Sequence, residues 1–294
     1  MVIERYLDTK RFERVKRDLP PLVGLINRSG GEYSLQLREN YFNIYYQGNS
    51  LARVKPNKNG TYSAEIHRKF LRDDILERLE RYSKITTRKS SNYVCFRIEP
   101  REFYQFFQSK NLKSLSARIR AVGNGEEITF EQVLITDNPP SKKFIIIDRQ
   151  VADHVNKAQI DLLALRRDSE NKPFHFLIIE LKLGRNHELY EKVGIQLSGY
   201  VDHIKKHMSD YVDCYKKNYQ QKKQLGLFDS NLPSEIEIDQ DTVDGLIVVG
   251  GYSQLAEKAL LSLCLKIKEN RWNIKVQQIR NEIKLDNRSY CVEP

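Results

Sequence analysis

Two short apolar stretches with charged residues inside them decide the fold: QIDLLAL at residues 159–165 and FLIIELK at residues 176–182. Each is an apolar run bounded by polar, turn-forming sequence, a pattern that predicts a buried strand. An unpaired buried charge costs roughly several kcal/mol, so Asp161, Glu180 and Lys182 are unexpected in such strands. Because alternate residues of a strand face the same way, Glu180 and Lys182 should project to one side. Three charges on neighbouring strands indicate a functional site.

The sequence around these strands predicts a domain in which strands alternate with helices. The expected elements are a helix or strand at 129–135, strands at 143–148, 160–165 and 174–183, a helix at 188–207, a charged stretch at 216–224 leading into a loop through Pro233, a strand at 245–249, a helix at 254–269 and a strand pair at 273–285. Such alternation is typical of a mixed α/β sheet with helices on its faces.

The first part of the chain has a different pattern, which predicts a β-rich α+β accessory domain. Its expected elements are a helix at 9–26 broken by Pro20-Pro21, strands at 33–37, 41–46, 50–54 and 61–66, and helices at 70–82 and 100–115. The turn sequences QGN at 47–49 and NKNG at 57–60 favour an antiparallel meander. The stretch GNG at 123–125 is the best boundary, which divides the chain into domains at 1–122 and 126–294.

Charge is distributed unevenly along the 294 residues, whose net charge is +10. Residues 1–120 carry 25 Lys and Arg against 13 Asp and Glu, a net of +12, whereas residues 121–294 carry 24 and 26, a net of −2. A basic part beside an acidic part suits a polyanionic substrate, because neutralising phosphates supplies most sequence-independent affinity. A solubilising surface explains the charge equally well.

Composition excludes several classes of protein. The sequence has no run of roughly 18 apolar residues, and residues 1–17 lack the apolar core of a signal peptide, so a membrane span or secretion is not expected. The four cysteines, including Cys291, are scattered and support neither a zinc site nor a disulfide framework. A reducing, cytoplasmic setting is the simplest interpretation.

A third motif completes a pattern that is known from one group of enzymes. After Asp161 and the Glu180-Leu181-Lys182 strand, the next predicted helix contains QLSGY at residues 196–200. Together these motifs resemble the PD-(D/E)XK nuclease superfamily, in particular its RecB-like and lambda-exonuclease-like branch with a QxxxY motif. The resemblance spans residues 126–250 and implies a restriction-endonuclease-like mixed sheet flanked by helices. It implies metal-dependent hydrolysis of nucleic acid, with DNA as the expected substrate.

The chemistry of the residues agrees with these roles. Asp161 and Glu180 offer the hard oxygen ligands that Mg²⁺ or Mn²⁺ prefers, and the backbone carbonyl of Leu181 offers another. A cation there polarises a phosphate and lowers the pKa of the attacking water. Lys182 is placed to stabilise charge that builds up on the phosphate or to orient the water. The alternative is a surface Glu–Lys pair beside an unrelated Asp.

Supporting residues are expected on the flanking helices. Gln196 and Tyr200 are four residues apart, hence on one helix face, where the resemblance implies that they orient the site or contact DNA. The alternative for this pair is ordinary helix packing. The resemblance also implies an acidic residue before the Asp strand: Glu131 is the first choice and Glu127 the second, unless the segment is a strand edge with Glu131 in solvent.

A few further residues and partners complete the prediction. Arg185 and Asn186 are candidates for phosphate contact, although Asn186 equally suits a helix N-cap, and His154 is either a substrate contact or a loop residue. The N-terminal domain would position the substrate, a protein partner or a second copy in a homodimer. Two other functions remain open: a catalytically silent nuclease-like module that binds nucleic acid or protein, and an unrelated α/β binding protein.

Overall fold

The computed structural model describes residues 3–86, 92–123, 125–153 and 158–280. The predictions for His154, for Cys291 and for a strand after Ile279 fall outside these ranges. The described chain has two β-sheets flanked by helices, which confirms the general α/β class. Among the described residues, no helix has the length and apolar character needed to cross a membrane.

The first sheet is an antiparallel meander that includes every strand predicted in this part of the chain. The elements are α1 Thr9–Asp18, α2 Pro20–Asn27, β1 Tyr33–Arg38, β2 Tyr41–Tyr46, β3 Asn49–Pro56, β4 Tyr62–His67, α3 Asp73–Glu80, β5 Lys84–Thr86, β6 Tyr93–Ile98, α4 Phe103–Phe106 and α5 Ser109–Val122. The strand order is β1-β2-β3-β4-β6-β5. Strands β5 and β6 were not predicted.

Proline and glycine set two of the local features of this part. Pro20 occupies the first turn of α2, where its missing N–H is tolerated and where it cannot continue α1. Gly48 has φ +80° in the turn between β2 and β3, and a Cβ atom there would lie 2.3 Å from the side chain of Ile128. A glycine is therefore required both by the backbone and by the close approach of the second part of the chain.

The second sheet contains the two stretches that opened the sequence. Its elements are α6 Glu126–Asp137, β7 Phe144–Asp153, β8 Ala158–Arg166, β9 Phe174–Leu183, α7 Glu188–Glu191, α8 Val193–Lys206, α9 Met208–Gln224, β10 Ile238–Gly250, α10 Ser253–Glu269 and β11 Ile274–Ile279. The order is β11-β10-β9-β8-β7. Strands β7, β8 and β9 pair antiparallel, whereas β9, β10 and β11 pair parallel, so the sheet is mixed as expected.

Helices cover both faces of this sheet, and each face has its own apolar core. Helices α7 to α10 pack on one face, against side chains such as Ile178 and Val249. Helix α6 packs on the other, where Phe130 and Leu134 contact a smaller cluster that includes Leu181. Since both faces of β9 are covered, its near-continuous apolar sequence is explained.

The charged stretch predicted at 216–224, to which no helix or strand was assigned, forms the second half of α9. Along this helix Tyr211, Tyr215 and Tyr219 recur at four-residue spacing and are buried in the larger core. The lysines and glutamines between them masked this periodicity.

A fully buried carboxylate connects the two parts of the chain. Asp148 on β7 accepts hydrogen bonds from Arg5 Nε at 2.7 Å and from Arg38 Nη1 at 2.5 Å, and the Tyr215 hydroxyl donates to it at 3.0 Å. Burial raises the pKa of Asp148, but the charges of Arg38, Arg5 and Lys222 lower it more, so the net shift is well below the ordinary value. The carboxylate is therefore ionised and neutralised by cations from the N-terminal part.

We expect Asp148→Asn to lower the free energy of unfolding by about 3–5 kcal/mol, because two arginines would lose the anion that neutralises them. Urea denaturation followed by circular dichroism measures the change. The matched control is Asp74→Asn, which removes an exposed carboxylate beside Arg72 and should leave the midpoint unchanged. Equal midpoints for the two variants would contradict the role assigned to Asp148.

Candidate functional site

Asp161 lies where strand β8 separates from β9. The last pair between these strands is Leu162 with Ile179, and Leu162 is the residue directly after Asp161 in the chain; β8 still pairs with β7 on both sides of Asp161. The Asp161 carboxylate accepts the N–H of Leu181 at 2.8 Å. An acidic side chain therefore takes the place of a ladder hydrogen bond, and its position is fixed by the backbone of the neighbouring strand.

Glu180 and Lys182 project from the same face of β9, as the alternation of residues predicts. Leu181 between them points into the core beneath α6. Lys182 Nζ lies 3.0 Å from Glu180 Oε1 and 3.0 Å from Oε2 of Glu188, which comes from α7. The side chain of Glu180 is 2% exposed and that of Lys182 is 10% exposed. The structure thus gathers the predicted acidic and basic groups at the carboxyl end of β9.

The carboxylates of this cluster are only partly neutralised by Lys182. Burial raises the pKa of Asp161, although the Leu181 N–H and the charge of Lys182 oppose the shift. Burial and then the charge of Asp161 raise the pKa of Glu180 to about 7, again against the influence of Lys182. Two neighbouring carboxyl groups that raise each other's pKa are typical of a cation-binding site.

Lys182 itself remains a cation. Burial lowers the pKa of its amino group, but Glu180 and Glu188 raise it more, so the net shift is above the ordinary value. An ammonium group near neutral pH can donate hydrogen bonds and stabilise negative charge, whereas it cannot accept a proton.

Helix α6 places both predicted supporting carboxylates towards the sheet. Glu131 is buried and forms an ion pair with Arg149, whose Nη2 lies 2.6 Å from Oε1, so it is neither in a strand nor in solvent. Burial raises the pKa of Glu131 to about 7, the charge of Arg149 opposes this, and the charge of Asp161 adds to it. Glu127, one turn earlier, accepts from Asn186 Nδ2 at 2.9 Å and lies 3.5 Å from the N–H of Leu183. Both influence Asp161, and Glu127 contacts the end of β9 directly.

The residues after β9 hold the neighbouring loop in place. Asn186 Oδ1 accepts the N–H of Glu188 at 3.0 Å, while its amide nitrogen binds Glu127. The N-cap position of α7 is His187, one residue later than the sequence predicted. Arg185 forms an ion pair with Glu126 at 2.9 Å and lies over the ring of Tyr252. Asn186 therefore orients Glu188, which in turn binds Lys182.

Gln196 and Tyr200 contact each other on α8. Gln196 Nε2 donates to the Tyr200 hydroxyl at 2.9 Å, and the Tyr200 ring is buried in the core between α8 and the sheet. Helix α8 lies against β9 and β10. The shared helix face predicted from their spacing is present, and their role towards a substrate stays a prediction.

Two residues of this region were not singled out from the sequence. Glu188 binds Lys182, and its only signal is that it lies two residues after Asn186, at the start of a predicted helix. Arg149 is fully buried and neutralises Glu131, and it follows directly on the apolar run IIID at 145–148. A charged pair at the end of such a run is the same signal that identified Asp161.

The donor groups suit one divalent cation that is shared with a substrate. Within the described ranges, no three His, Cys, Asp or Glu side chains come together as a complete metal cage. Mg²⁺, however, commonly uses only one or two carboxylates and takes its other ligands from water and phosphate. Glu180 Oε2 is buried and has no hydrogen-bond partner in the described part of the chain. A buried carboxylate oxygen without a donor fits a cation ligand.

Comparisons with protein-family models, with curated proteins and with solved structures find no match to this chain. The resemblance to PD-(D/E)XK nucleases therefore stays a prediction based on the motifs.

We expect wild-type protein without divalent cations to lose stability as the pH rises from about 5 to 7. The unfolded chain ionises Glu180 near its ordinary pKa of 4.5, whereas the folded chain retains the proton up to about 7. The contribution of Glu180 to the free energy of unfolding is therefore fully present below pH 4.5 and is lost as the pH rises to about 7. The total loss is on the order of 3 kcal/mol. Urea denaturation in EDTA at several pH values measures it.

Glu180→Gln should make this dependence less steep, because the amide does not titrate; Glu131, whose pKa burial also raises to about 7, accounts for the part that stays. The exposed Glu170→Gln is the matched control and should follow the wild-type curve. A Glu180→Gln curve parallel to that of the wild type would contradict the assigned shift.

Proposed function

We propose that this protein is a metal-dependent nuclease that hydrolyses phosphodiester bonds in nucleic acid, with DNA as the substrate. One observation supports this most strongly: the carboxylates of Asp161 and Glu180 come together at the end of β9 beside the ammonium group of Lys182. Asp161, Glu180 and Lys182 are also the residues of the motifs that resemble the PD-(D/E)XK superfamily.

The residues of the site would have distinct roles in this reaction. Asp161 and Glu180 would hold Mg²⁺ or Mn²⁺, with the Leu181 carbonyl as a further oxygen ligand. The bound cation supplies polarisation of the phosphate and a lowered pKa of the attacking water. Asp161 is held in position by the Leu181 N–H, so its free oxygen has a defined direction. This rigidity is what a site for ordered displacement at phosphorus requires.

Lys182 acts as a charge stabiliser in this proposal. Because Glu180 and Glu188 keep it protonated, it can donate to a non-bridging phosphate oxygen as negative charge grows there. A role as general base would need a neutral amine, which the raised pKa opposes. Of the two roles considered for Lys182, electrostatic stabilisation has the better support.

The distribution of charge along the chain favours a polyanionic substrate. The excess of +12 belongs to residues 1–120, and α6 and Asp148 bind this basic part to the sheet that bears the site. The basic residues would therefore neutralise phosphates of a substrate bound at the site and so increase its affinity. Gln196, Tyr200 and Glu131 are proposed to support the site from the flanking helices.

Lys182→Ala should reduce Mg²⁺- or Mn²⁺-dependent cleavage by at least about 100-fold, because a donor to the transition state is lost. Linear, circular, single-stranded and branched DNA, together with RNA, are the substrates to compare. Lys172→Ala, an exposed lysine in the turn between β8 and β9, is the matched control and should cleave as the wild type does.

Asp161→Asn should cause a comparable loss of cleavage while retaining nucleic-acid binding in a gel-shift assay. Its control is the exposed Asp168→Asn. If wild-type protein binds nucleic acid but cleaves none of these substrates, the proposed activity is wrong and the catalytically silent module is correct.

Mn²⁺ titration by calorimetry separates the enzyme from an α/β binding protein with a surface charge cluster. Wild-type protein should bind one Mn²⁺, and Glu180→Ala should weaken binding by at least about tenfold through loss of a carboxylate ligand. Glu170→Ala controls for the removal of an exposed acidic group. The absence of saturable binding to wild-type protein would contradict the metal site.

A further inference from the structure

A cavity of about 490 Å³ lies in the N-terminal part of the protein, away from the residues of the nuclease proposal. It is formed by the end of α2, the beginning of β1, the end of β2 and one face of α5. Its volume falls in the range of roughly 300–1,000 Å³ that is usual for small-molecule sites. The site has an aromatic wall and a basic rim, and neither is used by the chemistry at Asp161.

The aromatic wall is the half-buried ring of Tyr33 on β1, which packs on the buried ring of Tyr46 on the neighbouring strand β2. The rings of Tyr33 and Tyr46 have centroids 5.1 Å apart and are inclined by 46°. Leu25 of α2 adds partly exposed apolar surface, and the buried Leu112 of α5 lies beneath it. The Tyr33 hydroxyl lies 2.7 Å from Ser116 Oγ, which fixes the direction of that ring. Such a wall suits a flat heteroaromatic ring.

The basic rim consists of three cations against one carboxylate. Arg28 follows α2, and Lys113 and Arg120 are seven residues apart on α5, hence on one face. Within the described residues, the charged groups of Arg28 and Lys113 have no hydrogen bond or ion pair to the protein. Arg120 Nη1 donates to the Tyr46 hydroxyl at 2.6 Å, and its guanidinium lies 5.7 Å from the ring centroid. Glu32 is the single acidic group that lines the cavity.

A second cavity, of about 370 Å³, differs from this one in how its cation is bonded. It lies between the two sheets, and its only cation, Lys222, already donates to Gln36 Oε1 at 2.6 Å and to the carbonyl of Ile147. An anion there would compete with bonds that are already made. At the first cavity, two cations remain available for a ligand.

We propose that the cavity formed by Tyr33, Tyr46, Arg28 and Lys113 binds a nucleotide. The phosphate would be held by Arg28 and Lys113, and the base would lie against the accessible ring of Tyr33. Glu32 would accept a hydrogen bond from a sugar hydroxyl or an exocyclic amine. A free nucleoside 5′-phosphate and the 5′-phosphorylated end of a strand offer this same chemistry. The site does not depend on the proposed nuclease activity.

Calorimetric titration in EDTA tests the proposal without cleavage. Adenosine and thymidine 5′-monophosphates, inorganic phosphate, and one oligonucleotide with either a 5′-phosphate or a 5′-hydroxyl are the probes. We expect saturable binding of a nucleotide, weakened about tenfold or more by Arg28→Ala and by Lys113→Ala, since each removes a charged phosphate donor. Lys110→Ala, on the same helix but outside the cavity, should change affinity by less than about twofold.

The pattern of binding decides both the proposal and the source of the ligand. Binding of the mononucleotides identifies a free nucleotide, and binding of the 5′-phosphorylated oligonucleotide alone identifies a strand end. Any one of three results would overturn the proposal: no saturable binding of either, equal affinity for inorganic phosphate, or equal effects of Lys113→Ala and Lys110→Ala. None of these results bears on cleavage, which Asp161→Asn tests separately.

Discussion

The buried ion pairs of Asp148 are the interaction on which the rest of the structure depends. A carboxylate with 0% exposure is tolerated only because Arg5 and Arg38 neutralise it, and both come from the part of the chain that forms the other sheet. Arg149, the next residue, binds Glu131 and fixes α6 against the sheet in the same way. The two sheets and the helix between them are therefore held together by charges as well as by apolar packing.

The comparison between Asp148 and Asp161 explains why only one of them indicates a site. Both lie on neighbouring strands of one sheet. Burial raises the pKa of both carboxyl groups. At Asp148 the charges of Arg38 and Arg5 outweigh burial and the pKa falls, whereas at Asp161 burial, together with Glu127 and Glu188, outweighs Lys182 and the pKa rises. Buried charge that the chain neutralises itself is structural, and in the proposed function a bound cation would balance the charge that the chain leaves unbalanced at Asp161.

Much of this architecture was predictable, because strand patterns depend on local sequence. Strand β9 begins and ends at the predicted residues, Phe174–Leu183, and the meander was predicted from its turns. Most of α9 was missed, since its apolar residues are separated by charged and polar ones whose exposed side only the tertiary structure reveals. Strand β6 was missed as well, although YVCFRI at 93–98 is a nearly continuous apolar run. The partners of Lys182 and Glu131 were likewise beyond prediction: Glu188 and Arg149 reach them through the fold, and sequence spacing does not encode such contacts.

The distance along the chain between Asp148 and its partners has a consequence for biosynthesis. Arg38 precedes it by 110 residues and Arg5 by 143. During translation Arg5 and Arg38 are synthesised before β7. Both guanidinium groups therefore stay hydrated until Asp148 is available to pair with them. A fragment that begins at α6 would contain the proposed nuclease residues but would bury Asp148 without either arginine. Although the chain has two sheets, each with its own apolar core, the second would lose the ion pairs that neutralise Asp148 if it were produced without the first.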